Sequence, residues 1–94
     1  MKTHPLERLR ETLLETESFP LKYTHKIIGK NSERFRISVA QCTSPFENAS
    51  CTQERTSQNG NHVSLTFEVQ AETADHVVEF IQATLQIEDL ILSL

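Results

Sequence analysis

Tryptophan is missing from this chain, tyrosine occurs once, and cysteine occurs only at positions 42 and 51. With five Phe as the other aromatics and 37% hydrophobic residues overall, the core has to be assembled mainly from aliphatic side chains. Two cysteines cannot supply the disulfide framework on which small secreted scaffolds depend. Basic residues are also in deficit: nine Lys and Arg stand against thirteen Asp and Glu, a net charge of -4. That sign repels a phosphate backbone at long range and sets nucleic acid aside as a partner. No stretch approaches the roughly 20 apolar residues of a membrane span, so no membrane partner is expected. The first twenty residues, MKTHPLERLRETLLETESFP, are charged throughout and lack the apolar core of a signal peptide. A cytoplasmic location with both thiols reduced is the expectation. Ninety-four residues suffice for one domain, because separate cores form only in much longer chains.

What is present is regular patterning. Pro5 suits a first helical position, and Leu6, Leu9 and Leu13 recur at three- and four-residue steps with Glu and Arg between them. Residues 1–18 therefore read as an amphipathic helix, ended by Ser18-Phe19-Pro20, and residues 19–94 as a single domain. From Leu21 to Ile28 the residues Leu21, Tyr23, His25 and Ile27 alternate with Lys22, Thr24, Lys26 and Ile28, the period of a strand with one buried face. Gly29 is expected to close it. Asn31 or Ser32 offers an N-cap to a weakly patterned helix through Phe35, Val39 and Cys42.

The segment from Ala49 to Ser57 is polar on both faces and reads as an edge strand. Asn59-Gly60 favours a tight hairpin turn with positive φ at both residues, leading into a strand whose Val63, Leu65, Phe67 and Val69 alternate with polar residues. Thr73 with Asp75 marks a helix start, followed by the stripe Val77, Phe80, Ile81 and Leu85. Leu90, Leu92 and Leu94 then alternate with Ile91 and Ser93 as a last strand. After the N-terminal helix the order is βαββαβ. Right-handed crossovers turn that order into an α+β, ferredoxin-like sandwich with a four-stranded antiparallel sheet of order 4-1-3-2 and two helices on one face.

With these elements in place, the chain resembles a small bacterial family of unknown function, the YbeD-like proteins. The resemblance rests on Phe19-Pro20, on Tyr-Thr-His-Lys-Ile-Ile-Gly from Tyr23 to Gly29, on Ser57 to Thr66 around the hairpin, and on the final Leu94. It covers the chain from about Phe19 onward and implies a ferredoxin-like fold similar to ACT-type regulatory domains, which bind small molecules or one another. It supplies no catalytic residue. His62 and His25 depart from the family, which tends to carry aromatics at both places.

No catalytic or metal-ligating constellation emerges, and no cofactor is implied. Zinc could in principle use His25, His62, Cys42 and Cys51, but structural zinc sites favour closely spaced cysteine pairs, and eight residues separate these two. The chain shares its element order with acylphosphatase, and Gly29 to Arg36 ends in Phe-Arg like that family's phosphate loop. A hydrolase of that kind would use Arg36 and Asn59. The loop has one glycine rather than two, however, and Glu33 would repel the anion.

The outward sheet face lacks the rings that stack RNA bases. Its Lys22, Thr24, Lys26, Ser64 and Thr66 instead form a candidate surface for a small anionic ligand or a protein. Leu6, Leu9 and Leu13 form a candidate interface, either for the chain's own open sheet face or for a second copy in a weak homodimer. The reading that follows is a non-enzymatic regulatory or adaptor domain with an unidentified protein or small-molecule partner.

Overall fold

The computed structural model describes residues 5–94; the first four residues of the expected N-terminal helix lie outside them. The elements are α1 (Pro5–Thr16), β1 (Leu21–Lys30), α2 (Glu33–Thr43), β2 (Ala49–Thr56), β3 (His62–Ala71), α3 (Ala74–Thr84) and β4 (Leu90–Ser93). They form one antiparallel sheet of order β2-β3-β1-β4. This is the expected 4-1-3-2 order read from the other edge. The ferredoxin-like fold is thus established, with α1 added to it.

The two central strands pair along their whole length, from Leu21 opposite Ala71 to Lys30 opposite His62. Their alternation fixes the faces. His25, Ile27, Val63, Leu65, Phe67, Val69 and Ala71 are buried on the helix side, where Phe35, Val39, Val77, Phe80 and Ile81 meet them. The helices start where local chemistry starts them. Ser32 and Thr73 are extended N-caps whose hydroxyls accept from Phe35 N–H and His76 N–H.

Three local expectations give way to the structure. Gly29 does not close β1, which continues to Lys30. Its function is steric: a methyl group there would overlap the fully buried ring of Phe35, so the bare backbone is the seat for α2's largest core residue. The hairpin is not a tight two-residue turn either. Five residues separate β2 from β3, and only Gly60 has a positive φ, of 78°. Asn59 instead accepts at Oδ1 from Asn61 N–H and Ser57 Oγ–H.

The strand β4 also departs from simple alternation. Its pairing with β1 shifts register between Ile28 and Gly29, so Ile91 is an extra residue and the alternation reverses after it. Ser93, opposite Ile27, turns inward, while Leu92 and Leu94 are exposed. Leu92 and Leu94 therefore do not continue the core face to which Leu90 belongs.

The α1 stripe is also placed differently from one of its two readings. It packs on α3, on the helix side, and not on the open sheet face. Leu13 is buried, Leu6 and Leu9 are half-buried against the core, and Arg10 pairs with Asp75 at the start of α3.

Because the Phe35 ring has no free space, Gly29→Ala should destabilise the fold by about 3 kcal/mol through overpacking. Urea unfolding measures it directly, and Phe35→Leu in the same chain should recover part of the loss. A Gly29→Ala protein within ~0.5 kcal/mol of wild type, the usual range for a change away from such features, would contradict this role for Gly29.

Candidate functional site

The face of α2 that carries Arg36, Val39, Ala40 and Thr43 repeats at three- and four-residue steps, so these side chains share one side of the helix. That side looks toward β2 but does not close on it. Between the two lies a cleft of about 520 Å³, floored by Leu65 and Phe67 of β3 and walled by Ala49, Cys51 and Glu54 of β2. Phe46, in the turn between α2 and β2, closes one end and is held edge-on to Phe80 with ring centroids 5.4 Å apart. Apart from half-buried Ala49, every residue of β2 is exposed.

The stand-off follows from where α2 is tied. Phe35 sits on Gly29 of β1. Ser38 Oγ accepts from Glu88 N–H at 2.9 Å, and Ser32 Oγ–H donates to Asp89 Oδ2 at 2.8 Å. Asp89 holds a left-handed φ of 61°, an uncommon state for a residue other than glycine, and its carbonyl accepts from Lys30 N–H. Each tie draws α2 toward β1 and the start of β4, away from the opposite edge of the sheet.

At the cleft's rim Arg36 Nη2 lies 3.6 Å from Glu54 Oε2, and Arg36 Nη1–H donates to Asn31 Oδ1 at 2.7 Å. Asn31 in turn donates to Gly60 C=O, so a short polar chain joins α2 to the hairpin. The rim pair is half-exposed and worth little in isolation, ~0–1 kcal/mol. Its effect is to neutralise the cleft's one cation, while Glu47 at the other end is exposed.

The residues singled out from the sequence fall in two places. Lys22, Thr24, Lys26, Ser64 and Thr66 do share the open sheet face, with Lys26 opposite Thr66 and Ile28 opposite Ser64. Lys22 is 3.9 Å from Glu68, which offsets its charge, and exposed Leu92 and Leu94 lie beside Ile28 and Lys26. Arg36 and Asn59 are engaged elsewhere: the former by Glu54 and Asn31, the latter within its own hairpin. Most backbone donors of the loop that a phosphate would need are occupied too. The N–H groups of Lys30, Asn31, Ser32, Phe35 and Arg36 all donate to protein acceptors. Cys42 and Cys51 are free thiols, and among the described residues no three His, Cys, Asp or Glu gather as metal ligands.

Among the described residues His25 is the one strongly perturbed group. It is 2% exposed, flanked by Tyr23 and Phe80, and its Nε2 is 2.6 Å from Ser93 Oγ. Ser93 Oγ lies 3.3 Å from Thr84 Oγ1, which donates to Ile81 C=O, so the inward turn of Ser93 completes a buried polar chain from β1 through β4 to α3. Desolvation lowers the His25 pKa to about 4. This is a structural histidine, held neutral.

An antiparallel sheet of this order with helices packed on one face defines a small α+β protein of ferredoxin-like fold. The chain belongs to the family described as "Protein of unknown function (DUF493)", whose model matches residues 15–94. It is similar in fold to protein HP0495 from H. pylori, with a TM-score of 0.62 and 15% identity over 84% of this chain and 86% of that one. No curated protein matches the chain.

Sequence reasoning missed the cleft. The signal was the double polarity of Ala49 to Thr56: a strand polar on both faces has no helix over either.

The buried histidine carries a pH signature. Its folded pKa is depressed, so the unfolded chain binds the extra proton between pH 6.5 and about 4. Stability from this group is intact above pH 6.5 and falls as the pH drops to about 4, by up to about 3 kcal/mol at 1.36 kcal/mol per pKa unit. Urea unfolding across that range should show the slope, and His25→Phe should flatten it by about one proton. An unchanged slope would assign the acid sensitivity to other groups.

Proposed function

We propose that this protein is a non-enzymatic regulatory or adaptor domain, akin in manner to ACT-type modules, whose working surface is the cleft between α2 and β2. The observation that carries this reading is the cleft itself: about 520 Å³ of apolar concavity, floored by Leu65 and Phe67, beside a strand whose residues are almost all exposed. Ligand sites are usually concave, largely apolar and furnished with a few polar groups at the mouth. Arg36, Glu54 and Glu47 are those groups here. The open sheet face with Lys26, Ser64 and Thr66 is the second candidate surface.

Hydrolysis in the manner of acylphosphatase is the weaker reading. Arg36 and the N–H groups of Lys30, Asn31, Ser32 and Phe35 already have partners, so an anion held by them would have to displace several at once. Among the described residues no helix is long and apolar enough to cross a membrane, and a cytoplasmic location would suit the two free thiols.

An NMR titration of the labelled chain with a panel of small amphipathic molecules and amino acids tests the reading. Shifts should cluster at Val39, Ala40, Thr43, Cys51, Leu65 and Phe67. They should disappear in Ala40→Phe, which fills the cleft from an exposed helix position and leaves every core side chain unsubstituted. Shifts confined to Lys26, Ser64 and Thr66 would move the function to the open face, and acyl phosphate turnover lost in Arg36→Ala would replace the reading with an enzyme.

A further inference from the structure

We infer that the cleft's occupant is an extended segment of another protein, which adds as a fifth strand to the free edge of β2 and seats one apolar side chain between α2 and β3. The inference rests on the cleft being the binding surface and names the class of partner it takes.

The backbone supplies the first argument. Ser57 N–H donates to His62 C=O and His62 N–H donates to Ser57 Oγ, so Ser57 and His62 occupy a hydrogen-bonded position at the hairpin end of the ladder. Antiparallel ladders alternate. Thr56 opposite Val63 is therefore a non-bonded pair, Arg55 opposite Ser64 a bonded one, and Glu54 opposite Leu65 non-bonded again. The N–H and C=O groups of Glu54 and Thr56 point away from β3, along the free edge. Two residues at that spacing offer four backbone hydrogen bonds, the unit by which an extended peptide joins a sheet edge.

Side-chain direction supplies the second. Glu54 and Thr56 face the helix side, like Leu65 and Val63 opposite them. A strand added at this edge therefore directs alternate side chains over β2 into the cleft. The cleft's volume is larger than one side chain needs, and its floor is apolar. Charge narrows the choice further. Arg36 is neutralised by Glu54, and Glu47 makes no ion pair among the described residues. A segment with one apolar anchor and a Lys or Arg on the same face suits it.

A second copy of this chain does not. A register shift at Thr52 leaves Gln53 to Thr56 as the regular stretch of the edge. Two-fold pairing of two β2 strands must match edge-facing residues with each other. Centred on Glu54, it sets Glu54 against its own copy; centred on Arg55, it sets Arg55 against its own copy. Like charges directly opposite are destabilising. Centred on Gln53 or on Thr56, it runs off the regular stretch. The self-complementary patch that a symmetric dimer requires is absent from this stretch.

The test starts from a phage-displayed library of random linear nine-residue peptides, selected on the full chain, with the enriched peptides then synthesised and titrated. Enriched sequences should share an apolar residue with Lys or Arg two or four positions away. N-methylation of alternate peptide amides should weaken binding at least tenfold, with the intervening amides tolerant. Thr56→Pro should cost at least tenfold as well. It removes one edge N–H at a position where proline is allowed, because that N–H makes no bond to β3. The midpoint of thermal unfolding checks that the variant remains folded. Ala40→Phe provides a second loss of affinity that leaves the edge untouched.

No enrichment overturns the inference. So does binding that is indifferent both to N-methylation and to Thr56→Pro. If small amphipathic molecules still shift the cleft residues in either case, the cleft remains the binding surface and only the strand addition fails. If they do not, both fail together.

Discussion

The contact between Phe35 and the bare backbone of Gly29 is the constraint on which the rest of this structure turns. A fully buried ring needs a flat, unobstructed seat, and in β1 only a glycine provides one. Once Phe35 is seated there, α2 is committed to the β1 side of the sheet. Ser32 and Ser38 complete the commitment by bonding to Asp89 and to the Glu88 N–H at the entrance to β4. The opposite edge of the sheet then has no helix above it. The cleft is thus a consequence of how the core is packed on the other side of the molecule.

The two edges of the sheet are treated differently. At one, β4 is short, bulged at Ile91, and tied inward by Ser93 to His25 and Thr84. Bulges and short lengths are common devices for keeping edges from pairing. At the other, β2 runs for eight residues with a single register shift. Apart from Ala49 its residues are polar and exposed, and from Gln53 to Thr56 its pairing with β3 is regular. The cost of this arrangement is a buried histidine that must stay neutral, with its Nδ1 lacking a partner.

Most of the fold was legible because its determinants are local. Alternation at Leu21 to Ile28 and Val63 to Val69, the N-cap signals at Asn31 or Ser32 and at Thr73, and the order of elements led directly to the sheet that is observed. The failures were at positions decided by contacts that alternation and capping do not report. Gly29 looked like a terminator because its partner, Phe35, belongs to the next element. Leu90 to Leu94 looked like an alternating strand because one inserted residue, Ile91, reverses the faces without changing the composition. The leucines of α1 could have served any apolar surface, and the α3 face that took them is set by tertiary packing. The cleft was the least legible feature of all, since it depends on where a helix is not.

These observations converge on one physical claim: the edge of β2 is open in the free protein, and α2 is held away from it. Residue-resolved amide hydrogen exchange of the free chain tests that claim most directly. The account predicts that Glu54 and Thr56 exchange close to the rate of an unstructured peptide, while Arg55 between them is protected by its bonds to Ser64. Equal protection at all three would mean that the edge is already covered and would contradict the account.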